Sequence, residues 1–209
     1  MSATVLDLPR LARRLPEAPP AELGPALDAA ARCLARHGVS RTSMNDIARE
    51  LRVSRSGTYR LLGSIDRTIR LLIAREVNEL VTQRLPAALA SASGPEVILA
   101  MVEEVVDFAR NHPVVQKVVA DEPELIGPYL LTDLPDATAE VTELVAPLLE
   151  QAMDAGLVRQ QDPAILASWL TRIVVALVLD PVEGSLRPML SQMLLPALTP
   201  EPPGSRRSS

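Results

Sequence analysis

Residues 42–62 read TSMNDIARELRVSRSGTYRLL, and this stretch decides the fold. Its first half places Met44, Ile47, Ala48 and Leu51 at positions i, i+3, i+4 and i+7. That spacing is typical of the apolar face of a short α-helix, because residues three and four apart lie on the same side of a helix. We expect this face to be buried.

Capping residues predict where this helix and a second one begin. Ser43, with Asp46 three residues later, indicates a capping box. Ser54 is a good N-cap for a second helix over Arg55–Leu62, and we expect Val53 to turn inward and close the turn. Two helices joined by a turn of about 3–4 residues form a helix-turn-helix. In that motif the second helix enters the DNA major groove with its N-terminal residues toward the bases.

The motif predicts two sets of DNA contacts. Hydroxyl and guanidinium groups donate the hydrogen bonds that base edges and phosphates accept. The side chains expected to face bases are Arg55, Ser56, Thr58 and Arg60. Those expected to hold phosphates are Thr42, Ser43 and Tyr59. The alternative is that Arg55 and Arg60 are solvated surface residues.

Residues from about 27 to 72 resemble the tetracycline-repressor (TetR/AcrR) family of bacterial transcriptional regulators. The motifs that carry the resemblance are Ala29-Ala30-Ala31, His37-Gly38-Val39, Thr42-Ser43-Met44, Asp46-Ile47-Ala48, Val53-Ser54-Arg55 and Tyr59-Arg60. The chain departs from the family pattern at four positions. Gly57 and Thr58 stand where Thr and Leu are usual, and Leu61 and Ile65 replace a His and a Lys that often contact phosphate.

The resemblance implies an all-α protein with two domains. An N-terminal three-helix helix-turn-helix domain would bind DNA, and a C-terminal helical domain would bind a ligand and form the dimer. We expect a flexible leader at residues 1–20, the DNA-binding domain at 21–64, the regulatory and dimerisation domain at 65–198, and a disordered tail at 199–209. The alternative for the leader is an arm whose arginines reach the DNA minor groove.

The resemblance further implies a homodimer that reads a palindromic operator and is released by a small molecule, most often as a repressor. It assigns the dimer contact to the last two long helices, where the candidates are Leu144, Leu148, Leu149, Ile173 and Leu177. It also implies a pocket for a small hydrophobic effector, and the residues that could line this pocket are Met101, Val105, Phe108, Tyr129 and Trp169. For every residue in both sets, a place in the intramolecular core is the alternative.

The pattern of apolar residues and prolines predicts further helices. They are a supporting helix over residues 21–37, a lever helix over 65–85 that joins the two domains, and helices over 96–111, 113–120, 123–131, 136–155, 163–179 and 189–195. We expect a break at residues 86–95 and a loop at 133–135, because both stretches contain proline.

Charge is distributed unevenly along the chain. Residues 1–85 hold 14 Arg against 9 acidic residues, a net +5, whereas residues 86–209 hold 7 basic and 17 acidic residues, a net −10. A basic N-terminal part and an acidic remainder fit a DNA-binding domain on a body that phosphate repels. The alternative is a protein-interaction module on the same fold with weakened or lost DNA binding, which Leu61 and Ile65 favour.

Other features bear on chemistry and location. The sequence has no Gly-rich phosphate loop, nucleophile elbow or Cys/His cluster, so we expect no enzyme activity, cofactor or metal site. Cys33 is the only cysteine, which excludes an intrachain disulfide and fits a reducing cytoplasm. Residues 1–20 lack the apolar core of a signal peptide, and the longest late apolar run is too short for a membrane span. We expect a cytoplasmic protein.

Overall fold

The computed structural model describes residues 7–200, which form helices and turns without a strand, so the all-α prediction is confirmed. The α-helices are α1 (Leu8–Ala12), α2 (Gly24–His37), α3 (Met44–Leu51), α4 (Arg55–Leu62), α5 (Ile65–Glu79), α6 (Leu85–Leu89), α7 (Glu96–Asn111), α8 (Pro113–Asp121), α9 (Pro123–Pro128), α10 (Leu134–Asp154), α11 (Pro163–Leu179) and α12 (Leu186–Leu198). A 3₁₀ turn, Ala21–Leu23, precedes α2. The start of the predicted leader (residues 1–6) and most of the predicted tail (201–209) lie outside the described residues.

The described residues divide into two compact units. Residues 14–81 and 108–135 form one, called here the helix-turn-helix unit, and residues 7–13, 82–107 and 136–200 form the second unit. The helix-turn-helix unit is larger than the predicted range 21–64, because α5 and α8 contribute Leu72 and Val114 to its core. The functional domain ranges remain a prediction.

One apolar cluster holds the helix-turn-helix unit together. Its buried members are Ala26, Leu27, Ala30, Cys33, Leu34, Met44, Ile47, Leu62 and Leu72. The first apolar face read from the sequence is therefore buried, since Met44, Ile47 and Ala48 are 5%, 0% and 6% exposed. Burial also raises the pKa of the Cys33 thiol. Small alanines on α2 allow the short helices to pack closely against it.

Salt bridges fasten the short helices to α2. Glu50 on α3 accepts hydrogen bonds from Arg32 Nε at 2.7 Å and Arg36 Nη1 at 3.2 Å, both on α2. The hydrogen bond from Arg32, followed by that from Arg36, lowers the pKa of Glu50. On the other side, Arg75 Nη1 of α5 donates to Asp28 Oδ1 of α2 at 2.7 Å. These exposed bridges orient the helices and contribute little stability individually.

Of the two predicted interruptions, one is partly helical and the other fully helical in the structure. A π-helical segment, Leu80–Arg84, continues into α6 and past Pro86, so the predicted break at residues 86–95 is confirmed only after Leu89, where residues 90–95 are not helical. By contrast, residues 133–135 are not a loop, because the π-helical segment Tyr129–Asp133 runs directly into α10. Pro86 and Pro135 each occupy the second position of their α-helix, directly after a π-helical segment.

The second unit is built from longer and more apolar helices. Its deepest side chains include Leu149, Leu190, Leu194 and Leu198, each no more than 2% exposed. Arg187 on α12 forms ion pairs with Glu96 and Glu103 on α7. Within residues 7–200, no helix combines the length and the apolar character that crossing a membrane requires.

Candidate nucleic-acid interface

The first helix of the motif begins with the predicted capping box. The hydroxyl Oγ of Ser43 accepts a hydrogen bond from Asp46 N–H at 3.4 Å, and Asp46 Oδ2 accepts from Ser43 N–H at 3.0 Å. Hydrogen bonds from the Ser43 hydroxyl and then from its backbone N–H lower the pKa of Asp46. A reciprocal cap satisfies two backbone donors that the first turn would otherwise leave unpaired, so the start of α3 is well defined.

The turn between α3 and α4 differs from the prediction at one residue. Arg52 adopts a left-handed backbone (φ 58°), and its N–H donates to Arg49 O at 3.2 Å. Val53 follows at the tip of the turn and is 42% exposed, so the prediction that it turns inward is wrong. Ser54 is the N-cap of α4 as predicted, and its Oγ accepts from Gly57 N–H at 3.1 Å.

The exposed face of α4 presents hydrogen-bond donors to solvent. Arg55, Ser56, Tyr59 and Arg60 are all exposed. The guanidinium carbon of Arg55 lies 5.5 Å from the centroid of the Tyr59 ring. The two residues are one helical turn apart and form a cation–π contact. Among the described residues, no acidic side chain pairs with Arg55 or Arg60. These arginines therefore remain able to bind an anionic or electron-rich partner.

Two predicted contact residues are buried instead. Thr42 is 7% exposed, and its hydroxyl donates to Gly38 O at 2.6 Å. Thr58 is 0% exposed, and its hydroxyl donates to Ser54 O at 3.2 Å. Thr58 thus packs as a core residue at the position where the resembled family has an apolar Leu. Both hydroxyls donate to backbone carbonyls of the motif, so neither belongs to its exposed donors.

The structure adds two arginines that the sequence analysis did not select. Arg49 at the end of α3 and Arg52 in the turn are both exposed. Arg49 forms an ion pair with Asp46 on its own helix, while Arg52 has its side chain in solvent. The signal available in the sequence was the density of arginine over residues 49–60, where four occur.

A polar cleft of about 360 Å³ lies in the same unit. It is lined by Arg36, His37, Arg41, Asp46 and Lys117. Most of its charges already have partners, since Arg36 pairs with Glu50 and Lys117 with Asp121. Within residues 7–200, no group of three or more His, Cys, Asp or Glu side chains is placed to hold a metal ion.

The candidate effector residues do not share one environment. Met101, Val105 and Phe108 lie on one face of α7 and are partly buried. Tyr129 and Trp169 are 41% and 44% exposed. Phe108 and Tyr129 belong to the helix-turn-helix unit, whereas Met101, Val105 and Trp169 belong to the second unit.

The candidate dimer residues also differ in how deeply they are buried. Leu148, Leu149 and Leu177 are 3%, 1% and 8% exposed within the single chain. They therefore fit the alternative of a place in the intramolecular core. Leu144 and Ile173 are partly buried. The apolar surface that α11 leaves open lies instead at Ile165, 70% exposed, and Trp169 one turn further on.

A capped helix-turn-helix whose second helix exposes arginines without an acidic partner is typical of the class of helix-turn-helix DNA-binding proteins. Residues 26–64 match the family model described as bacterial regulatory proteins, tetR family. A sequence comparison with curated proteins gives no match. The match to this family model covers the helix-turn-helix part of the chain, in agreement with the resemblance of residues 27–72.

Solved structures share the fold over most of the chain. A TetR-family transcriptional regulator from Pectobacterium atrosepticum has 19% identity and a TM-score of 0.64, covering 85% of this chain and 94% of its own. A TetR/AcrR-family regulator from Thermobifida fusca has 19% identity and a TM-score of 0.58, covering 90% and 100%. AibR, solved with isovaleryl coenzyme A and operator DNA, has 20% identity and a TM-score of 0.54, covering 80% and 95%.

Proposed function

We propose that this chain is a repressor that binds a palindromic operator as a homodimer in the cytoplasm and leaves it when a small hydrophobic effector binds. The observation that carries the proposal is the exposed face of α4. Arg55, Ser56, Tyr59 and Arg60 occupy the part of the second helix that enters a major groove in this motif. Exposed Ser43, Arg49 and Arg52 would contact the flanking phosphates.

Titration of duplex DNA at several salt concentrations tests the DNA-binding part. The probe is the fragment upstream of the chain's own gene, with a random duplex of equal length as reference. Affinity for both should fall linearly on a log–log plot as salt rises, because bound phosphates release counterions. Equal affinity for the two fragments, or no binding at low salt, would contradict the proposal.

Arg55→Ala tests base recognition within the same assay. A bidentate arginine–guanine contact contributes about 1–3 kcal/mol of discrimination, which corresponds to about 5- to 150-fold in affinity for the preferred fragment. Binding to random duplex should change much less. Arg159→Ala is the control, because it removes the same charge from the second unit. If both variants behaved alike, Arg55 would be contributing charge alone.

The dimer is proposed through the open apolar surface of α11. Ile165 and Trp169 are separated by one helical turn and are both exposed in the single chain. A second copy of the chain related by a two-fold axis would cover them, and a two-fold dimer is what a palindromic operator requires. Leu144 and Ile173, which are partly buried, are retained as neighbouring candidates.

Sedimentation velocity at micromolar concentration tests this surface. Wild-type protein should sediment as a dimer, and Trp169→Glu should shift it toward monomer, because a carboxylate would lose its hydration in the interface. Leu131→Glu is the matched control, since Leu131 is 84% exposed and lies in the other unit. A monomeric wild-type protein would remove the dimer from the proposal.

The proposed effector is apolar because the candidate residues are apolar. Met101 and Val105 lie one turn apart on the part of α7 that belongs to the second unit, so they offer an apolar face there. A ligand releases DNA only if it prefers one position of the lever helix α5 over another. Decanoate, titrated into the operator complex, should release DNA from wild-type protein and act less on Met101→Arg. Release that is the same in both would reject this face.

The protein-interaction alternative rests on the apolar residues that replace the family's phosphate-contacting residues. Leu61 is 39% exposed and fits that alternative. Ile65 does not, because it packs against the core cluster of the helix-turn-helix unit. Failure of the low-salt DNA titration would favour this alternative.

A further inference from the structure

A buried carboxylate in the helix-turn-helix unit takes no part in the surface described above. Glu122 lies at the corner between α8 and α9 and is 2% exposed. Its Oε2 accepts a hydrogen bond from Val39 N–H at 2.6 Å, and its Oε1 accepts from Ser40 N–H at 2.9 Å. These donors are more than 80 residues away in sequence and belong to the loop between α2 and α3.

The loop is shaped to receive this carboxylate. Gly38 has φ +87°, and a Cβ at this position would lie 2.5 Å from Glu122 Cδ and 2.6–2.7 Å from its two oxygens. Any other residue would therefore need both a strained backbone and a displaced carboxylate. Gly38 N–H still closes α2 by donating to Leu34 O at 2.9 Å.

The same loop leads directly into the first helix of the motif. On its other side, the Thr42 hydroxyl donates to Gly38 O at 2.6 Å and to Cys33 O at 3.3 Å. Ser43 then begins the capping box of α3. Residues 38–43 are consequently fixed between α2, the start of α3 and the corner that carries Glu122.

The charge state of Glu122 agrees with this geometry. Burial raises its pKa, but the hydrogen bonds from Ser40 and Val39 outweigh burial, and the pKa lies below its usual value. An ionised carboxylate that is taken out of water depends strongly on its donors. Separating Glu122 from the loop is costly, so the corner and the loop should move together.

We propose that Glu122 is a positioning residue for operator binding, which holds the loop before α3 and passes movement of the α8–α9 corner to the helix-turn-helix. The inference rests on the proposed function. A shift of α8 and α9 would carry Val39 and Ser40 with it and would reorient α3 and the turn that follows. Both partners of this contact belong to the chain itself, so positioning of the loop by Glu122 requires no additional ligand.

Glu122→Gln tests the contact with almost no change of shape. Its amide nitrogen would face a backbone N–H, so one of the two hydrogen bonds is lost. The matched control is Arg187→Gln, because Arg187 also joins distant parts of the chain, α12 and α7, through its ion pairs with Glu96 and Glu103, but in the second unit. Glu122→Asp keeps the charge on a shorter side chain and serves as the second variant.

Two measurements are needed on each protein, well below its melting temperature. The first is affinity for the upstream fragment, where Glu122→Gln should lose about tenfold or more, Glu122→Asp should lose less, and Arg187→Gln should match wild type. The second is hydrogen exchange of Val39 and Ser40, which should accelerate in both Glu122 variants and remain slow in the control.

The outcomes separate this inference from the proposed function. If Glu122→Gln melts earlier and exchanges faster at Val39 and Ser40 but binds DNA like wild type, Glu122 stabilises the fold without positioning the motif, and the inference is overturned. Slow exchange of both amides in Glu122→Gln would overturn the contact itself. If wild-type protein binds no DNA, the proposed function fails first, whereas the exchange result still decides whether Glu122 holds the loop.

Discussion

Different interactions fix the internal structure of the two units of this protein. In the helix-turn-helix unit, short helices begin at side-chain caps, as Ser43, Ser54 and Ser64 show, and Glu122 fixes a loop from a distance. In the second unit, long helices such as α11 are apolar on most sides. A surface that must match DNA requires defined backbone positions, whereas apolar packing tolerates repacking and can yield to a ligand.

The largest expected effect comes from removing one core side chain in each unit. Leu62 and Leu190 are 0% and 2% exposed, and their replacement by alanine should each cost about 2–5 kcal/mol. If the units are separately cooperative, Leu62→Ala will accelerate hydrogen exchange within residues 24–62 and Leu190→Ala within 163–198. Uniform acceleration in both variants would show that the chain unfolds as one body and would break the comparison.

A smaller effect is expected at the Arg55–Tyr59 contact. Cation–π contacts at exposed sites contribute about 0.5–1 kcal/mol, so Tyr59→Leu should weaken operator binding by about two- to fivefold. Tyr59→Phe keeps the ring and should bind nearly as wild type. An equal loss in Tyr59→Phe would mean that the hydroxyl acts through a phosphate contact, as the sequence analysis predicts, and not through Arg55.

The smallest effect concerns acid stability. The pKa of Asp46 is lower in the folded protein than in the unfolded chain, so its contribution is present above the unfolded pKa and is lost as pH falls through the folded pKa. Asp46→Asn should destabilise the protein by less than about 1 kcal/mol at neutral pH. Denaturant titrations should show this difference narrowing as pH falls below the usual carboxyl range. If the difference in free energy of unfolding between the two proteins did not change with pH, the charge of Asp46 would not be its cause.

Local signals predicted most of the helix-turn-helix. The N-caps Ser43 and Ser54 lie within a few residues of the N–H groups that they accept from, so spacing alone identifies them. The burial of Thr58 and of Leu148 depends on which neighbours approach from elsewhere in the chain, and periodicity does not contain that information. When a short helix mixes polar and apolar residues around its axis, its sequence does not show which face is buried.

The contact of Glu122 with the loop could not be predicted for the same reason. Its donors are backbone groups of Val39 and Ser40, which leave no trace in the side-chain pattern. A weak signal was present in the order of residues, because an acidic residue stands immediately before Pro123 at the junction of two short apolar helices. Gly38 supplies the other half of the signal, because a glycine directly after the predicted helix over residues 21–37 allows the positive φ that this loop adopts.

Cys33 gives this molecule a built-in reporter. It is the only thiol in the chain, it is 1% exposed, and it lies in the core of the helix-turn-helix unit. A maleimide can alkylate it only after that core has opened, so the labelling rate of unmodified protein reports every opening of the helix-turn-helix unit, local or global. Operator or effector that slows or hastens the labelling would reveal how each partner tightens or loosens this half of the protein.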